Sequence, residues 1–121
     1  MLIIEKTFEA LRGVNKAVVH LYNSTSVAQR EQVFKMSNEE IIEIAESGAK
    51  LLKKYAEETE GNFQFQYSPE SFTGTELDFA KEICEAVIDV YEPTPQDRLI
   101  LNLPSTVEMA TPNIYADQIE W

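Results

Sequence analysis

Apolar positions in this chain change period several times, and the changes mark out seven elements. Residues 2–12 carry apolar side chains at helical spacing, with Leu2 or Ile3, Phe8 and Leu11 on one face and Gly13 as a stop. Lys16 to Tyr22 is a β run with two adjacent valines, followed by a polar, irregular stretch from Asn23 to Lys35 that contains Arg30 and reads as a loop or a loop with a short helix. Ser37-Asn38-Glu39-Glu40 is a capping box, since the Ser37 hydroxyl and the Glu40 carboxylate can each satisfy the other residue's backbone amide. Behind it Ile41, Ala45, Leu52 and Ala56 form a helical stripe that Ile44, Leu51 and Tyr55 widen, and Gly61-Asn62 ends it. Phe63 to Ser68 alternates strictly and predicts a strand. Thr75 then predicts a cap for a helix whose apolar set is Leu77, Ala80, Cys84, Val87, Ile88 and Tyr91, closed by Pro93-Thr94-Pro95. Leu99 to Leu103 predicts a third strand, and Thr111-Pro112 opens a last helix with proline at its favoured first position.

The resulting order, α-β-α-β-α-β-α, predicts an α/β fold of three parallel strands joined by right-handed crossovers, all within one segment, residues 1–121. Strand centres near Val18, Phe65 and Ile100 give repeats of 47 and 35 residues, too irregular for a solenoid. Side chains alternate across a strand. Phe63, Phe65 and Tyr67 therefore share one face with Leu99, Leu101 and Leu103, and that face is wholly apolar. The opposite face, with Gln64, Gln66, Ser68 and Asn102, is partly polar, although a parallel sheet is normally covered on both sides. A barrel resolves the conflict: its outer face packs on helices while its lumen turns polar toward the active rim. A barrel is therefore the expected architecture. His20 falls on an even position, so His20, Ser68 and Asn102 are expected to share the lumen, with Glu70 and Thr106 just past their strand ends.

Each of these residues has a plainer role. His20 serves equally as a core histidine bonded to a backbone carbonyl, Glu70 as a helix cap or a partner for Arg30, and Thr106 and Ser105 as turn residues bonding the backbone. No complete catalytic constellation for any chemistry lies within these residues. There is no nucleophile elbow for a serine hydrolase, no glycine-rich dinucleotide fingerprint and no phosphate loop.

The formal net charge of −11 and the lack of a basic patch argue against nucleic acid and against an anionic membrane surface. The start has no basic-then-apolar leader pattern, and no stretch is long enough for a membrane span. One cysteine, Cys84, allows no disulfide within the chain, fits a reducing cytoplasm, and reads as a small buried hydrophobe. The Asn23-Ser24-Thr25 sequon is a chance match, and the glutamates at 39, 40, 43 and 46 form a solvated helix face without the histidines a metal site would use.

Three segments carry a family resemblance: His20-Leu21-Tyr22-Asn23-Ser24-Thr25-Ser26, Tyr67-Ser68-Pro69-Glu70-Ser71-Phe72-Thr73-Gly74-Thr75-Glu76-Leu77, and Asn102-Leu103-Pro104-Ser105-Thr106-Val107-Glu108-Met109-Ala110-Thr111-Pro112-Asn113. They closely resemble the longer-chain form of 2-isopropylmalate synthase, and the likeness runs over essentially all 121 residues. The resemblance implies an internal fragment of a catalytic TIM-type barrel, its fourth to sixth strands. It implies condensation of acetyl-CoA with 2-oxoisovalerate to 2-isopropylmalate and free CoA, the committed step of leucine biosynthesis, in a cytoplasmic homodimer. His20, Ser68 and Thr106 would then bond the keto acid's carboxylate or keto oxygen, and Glu70 would sit beside the metal and the reacting carbons. The resemblance also implies a divalent metal cation. The family holds it with an aspartate from the first strand and a His-x-His pair from the seventh, and neither segment is in this chain, nor is the leucine-sensing C-terminal domain. The chain alone is therefore expected to be inactive. Two other readings stand beside this one: a fragment of a homocitrate or citramalate synthase relative, and a non-catalytic acidic α/β module that binds a partner.

Overall fold

A computed structural model describes residues 2–121; Met1 and the side chain of Leu2 lie outside the described residues. The element order matches the expectation. Helix α1 (Leu2–Ala10) leads to strand β1 (Lys16–Ser24), a π-helical turn (Gln29–Phe34), helix α2 (Asn38–Glu58) and strand β2 (Asn62–Glu70). A single 3-10 turn (Phe72–Gly74), helix α3 (Leu77–Tyr91), strand β3 (Ile100–Leu101) and helix α4 (Pro112–Glu120) complete it. The strands form one sheet in the order β1-β2-β3, both pairs parallel, with α2 and α3 as the crossovers. This is part of a (β/α) barrel wall.

The first two strands are longer than their sequence patterns. β1 runs two residues beyond Tyr22 to Ser24, and β2 runs through Pro69 to Glu70. Glu70 is therefore the last residue of its strand rather than a residue beyond it. β3 shrinks from the expected Leu99–Leu103 to Ile100–Leu101, although Asn102 still donates its amide to the Tyr67 carbonyl at 2.9 Å. β1 and β2 pair over nine positions, whereas β3 pairs with β2 only at Ile100 and Leu101.

Helix boundaries follow the local chemistry. The capping box forms: the Glu40 amide donates to Ser37 Oγ at 3.2 Å, and the Ser37 amide donates to Glu40 Oε2 at 2.8 Å. Gly13 takes φ +82° just after α1, a value that costs any other residue strain. Gly61 takes φ +148° between α2 and β2, where a Cβ would stand 2.8 Å from the Val14 carbonyl oxygen. The expected Thr75 cap is not used. Glu76 is the residue that precedes α3, and Thr75 is buried in another role.

Two apolar clusters lie between the odd face of the sheet and the helices. One joins Ile41, Ala45 and Ala49 of α2 to Tyr67 of β2 and to Phe79, Ile83, Cys84 and Val87 of α3. The other joins Phe8, Val19, Leu52, Phe63, Phe65 and Tyr91. Phe79 and Ile83 take the central α3 places that the sequence pattern assigns to Leu77 and Ile88, which are only half-buried. On α2, Ala49 is buried and Ala56 is half-buried, and on α1 Ile3 faces water while Ile4 packs inward. Cys84 is buried as expected, and burial pushes its thiol pKa up to about 11. Among the described residues no helix covers the even face, and Val18, His20 and Tyr22 are exposed on it.

Ile83 is 0% exposed and Ile3 82%. Ile83→Ala should cost about 3 kcal/mol through lost burial and a residual cavity, while Ile3→Ala should stay within about 0.5 kcal/mol. Urea unfolding followed by circular dichroism checks both.

Candidate functional site at the carboxyl rim of the sheet

Register places the site. Tyr22 lies opposite Ser68 and Ser24 opposite Glu70, so the polar ends of β1 and β2 share one face at one height. These polar side chains lie on the even face, opposite the strand residues that pack on the helices. His20 Nε2 lies 2.6 Å from Ser68 Oγ, and Asn102 Nδ2 donates to the same oxygen at 2.8 Å. Ser68 has one hydrogen. Accepting from Asn102 leaves that hydrogen for an unprotonated His20 Nε2; when Nε2 carries the proton, the direction reverses. His20 is thus neither a core residue nor bonded to a backbone carbonyl. It stands exposed on the open face with a buried serine behind it.

Glu70 is half-buried, and Ser24 Oγ donates to its Oε2 at 3.0 Å. The pairing with Arg30 considered from sequence does not occur. Arg30, 4% exposed, binds Glu76 in a fork at 2.8 and 2.7 Å and donates to the Thr25 carbonyl at 2.6 Å. It also stacks over the Phe79 ring at 4.5 Å. Glu70 thus keeps its second oxygen clear of the arginine. The Arg30 hydrogen bonds hold the Glu76 carboxyl below its ordinary value. Glu76 remains half open to water, so screening limits what the pair contributes.

Thr106 reaches the same rim from the loop after β3. Its Oγ1 accepts the Ser71 amide at 3.0 Å, and Thr73 donates to the Val107 carbonyl at 2.5 Å, stitching the loops after β2 and β3 together. Thr106 bonds a backbone, as the plainer reading held, but that of the neighbouring loop. Accepting through oxygen leaves its own hydrogen available to donate. The structure therefore brings His20, Ser68, Glu70 and Thr106 to one rim. Ser24, which sequence reading left inside a chance sequon, joins them, and Asn102 takes its expected place. Next to Ser24, Asn23 faces the helices, donating to the Ile41 carbonyl at 3.3 Å and accepting from the Tyr67 hydroxyl at 2.7 Å. That burial lifts the Tyr67 pKa well above the ordinary phenol value.

A model of the HMGL-like family matches residues 2–121. The chain belongs to the HMGL-like family. Among its relatives, the 2-isopropylmalate synthase of Desulfitobacterium hafniense (strain Y51) is 75% identical over 119 residues, covering 98% of this chain and 21% of that protein. The 2-isopropylmalate synthases of Clostridium acetobutylicum and Helicobacter hepaticus are each 61% identical, again over 98% of this chain and 22% and 21% of their own lengths. The chain thus spans about a fifth of the relatives it matches. Among the described residues of this HMGL-like segment, no three His, Cys, Asp or Glu side chains are grouped to hold a metal ion. The donors at the rim do not make a cation site by themselves. Among the described residues, no helix is long and apolar enough to cross a membrane.

The lowered Glu76 pKa has a sign. A depressed carboxyl stabilises the fold above its unfolded value near 4.5 and loses that contribution as pH falls through the lower folded value. Glu76→Gln should therefore flatten the acid limb of stability below about pH 4.5, as read from urea midpoints taken across that range.

Proposed function

We propose that this segment forms the keto-acid side of a 2-isopropylmalate synthase barrel. The observation that carries the reading is the His20–Ser68 contact at 2.6 Å, on the same open face and at the same rim as Glu70. Its support from relatives is the 61–75% identity to proteins named 2-isopropylmalate synthase.

The reaction takes a proton from the methyl group of acetyl-CoA and joins that carbon to the keto carbon of 2-oxoisovalerate. The keto oxygen takes the electron pair and then a proton, and water releases CoA from the thioester. Here Thr106 and the His20–Ser68 pair bond the keto acid's carboxylate or keto oxygen, fixing it in place before the new bond forms: Ser68 has its hydrogen free to donate when His20 Nε2 carries the proton, and His20 donates through Nδ1 when Nε2 does not. Asn102 sets the Ser68 oxygen, and Ser24 holds one oxygen of Glu70 so that the other faces the reacting carbons. From there Glu70 orients substrate or passes a proton. A divalent cation, held by ligands outside this segment, would supply Lewis-acid stabilisation of the keto oxygen. A cytoplasmic homodimer belongs to the same reading. The names of the relatives favour it over the homocitrate, citramalate and non-catalytic readings.

The test replaces the matching stretch of the Desulfitobacterium hafniense synthase with this chain and follows thiol release from acetyl-CoA with 2-oxoisovalerate and a divalent cation. The chimera should be active, and the chain alone should not rise above blank. Smaller and charged 2-oxo acids should be poorer substrates. In the chimera Ser68→Ala should raise KM for the keto acid roughly tenfold, through loss of a ground-state contact. A folded chimera without thiol release, or one that prefers another 2-oxo acid, would overturn the proposal.

A further inference from the structure

The backbone under Glu70 is held more tightly than a strand end requires. The peptide joining Glu70 to Ser71 is bonded at both of its ends. Its carbonyl oxygen accepts from the Thr25 amide at 3.1 Å and from Thr25 Oγ1 at 3.1 Å, and its N–H donates to Thr106 Oγ1 at 3.0 Å. Ser71 sits at φ +62°, a left-handed conformation that a non-glycine residue keeps only when its surroundings impose it. The next carbonyl, that of Ser71, accepts from Thr75 Oγ1 at 2.9 Å, and the Thr25 and Thr75 hydroxyls lie 2.8 Å apart. Thr25 is 0% exposed, so these hydroxyls have no water to turn to. Behind them, Arg30 grips the Thr25 carbonyl and Glu76, closing a loop of contacts from the end of β1 to the start of α3.

We propose that Thr25, fixed by Arg30, is the positioning residue for Glu70. Its hydroxyl and amide lock the Glu70–Ser71 peptide, and that plane sets the direction in which the Glu70 carboxylate leaves the strand. Arg30 acts one step further back, holding Thr25 against the peptide with a guanidinium whose charge is met by Glu76 and the Phe79 ring. The inference rests on the assignment of Glu70 to the reacting centre.

The experiment is a double-mutant cycle in the chimera described above. Thr25→Val keeps the shape of the side chain and removes the hydroxyl; Thr25→Ser keeps the hydroxyl. Thr25→Val should lower kcat roughly tenfold to a hundredfold, because a small misplacement of a reacting group costs that much. KM for 2-oxoisovalerate should change by less than about threefold, and Thr25→Ser should hold kcat near the parent's. Introduced together with Glu70→Gln, Thr25→Val should add little to the loss that Glu70→Gln causes alone, since both act through one carboxylate. If Thr25→Val gives no folded chimera, Arg30→Lys, which keeps the charge and loses the fork, runs through the same cycle with the same expectation. Equal losses in the two backgrounds, or a Thr25→Ser variant as impaired as Thr25→Val, would overturn the positioning role and leave that of Glu70 standing. Full activity in Glu70→Gln would overturn both.

Discussion

Everything at the rim depends on the parallel register between β1 and β2. Nine residues of each strand are paired, from Lys16 opposite Asn62 to Ser24 opposite Glu70. Slipping that pairing by one residue would turn every side chain of one strand to the other face. Phe63, Phe65 and Tyr67 would leave the helices for the open side, and Ser68 would turn away from His20. The register is strongly specified because the cost falls on three large aromatic side chains at once. The polar rim follows from that apolar choice: once the odd positions are committed to the helices, the even positions can only face the lumen side.

The two faces of the sheet accordingly do different work. The helix-covered face holds the core, and the α2–α3 contact contributes much of it through Ile41, Ala45, Phe79 and Ile83. The open face leaves Val18 and Tyr22 exposed on either side of His20. A groove of about 870 Å³ runs beside β1 between α1 and α2, lined by Ile3, Ile4, Leu11, Ile44 and Leu51. An exposed apolar strand face and an unpaired strand edge are where a further strand and helix of a barrel pack. That geometry matches a chain covering about a fifth of its relatives. The acidic surface lies mostly on exposed helix positions such as Glu39, Glu82 and Asp89, while Glu40 and Glu43 border the groove beside β1.

Legibility differed by element. The capping box at Ser37 and the alternation of β2 involve contacts within a few residues, and both formed as read. The third strand did not: it pairs with β2 only at Ile100 and Leu101, and the Asn102 amide adds one more bond to the Tyr67 carbonyl before the chain leaves the sheet. Thr75 had the chemistry of a cap, yet burial beside Thr25 drew its hydroxyl to the Ser71 carbonyl. The inward places on α3 went to Phe79 and Ile83 rather than Leu77 and Ile88, since the helix turns about its axis to suit the sheet below it. For the site, parity alone brought His20, Ser68 and Asn102 together. Ser24 escaped notice because β1 continues two residues past its apolar run.

What the sequence determined by itself was local and periodic: seven elements in order, parallel strands, an apolar and a polar sheet face, and a family likeness carried by three rim segments. Those follow from side-chain spacing, and spacing survives without knowledge of the fold. The tertiary structure alone decided which charged group meets which. Arg30 and Glu76 are 46 positions apart, and sequence offers Glu70 as an equally good partner for that arginine. Burial of the guanidinium under Phe79, aimed at the Thr25 carbonyl, puts its fork on Glu76 and leaves Glu70 to Ser24. Long-range pairing of charges is a question of where helices and loops come to rest, and no periodicity records it.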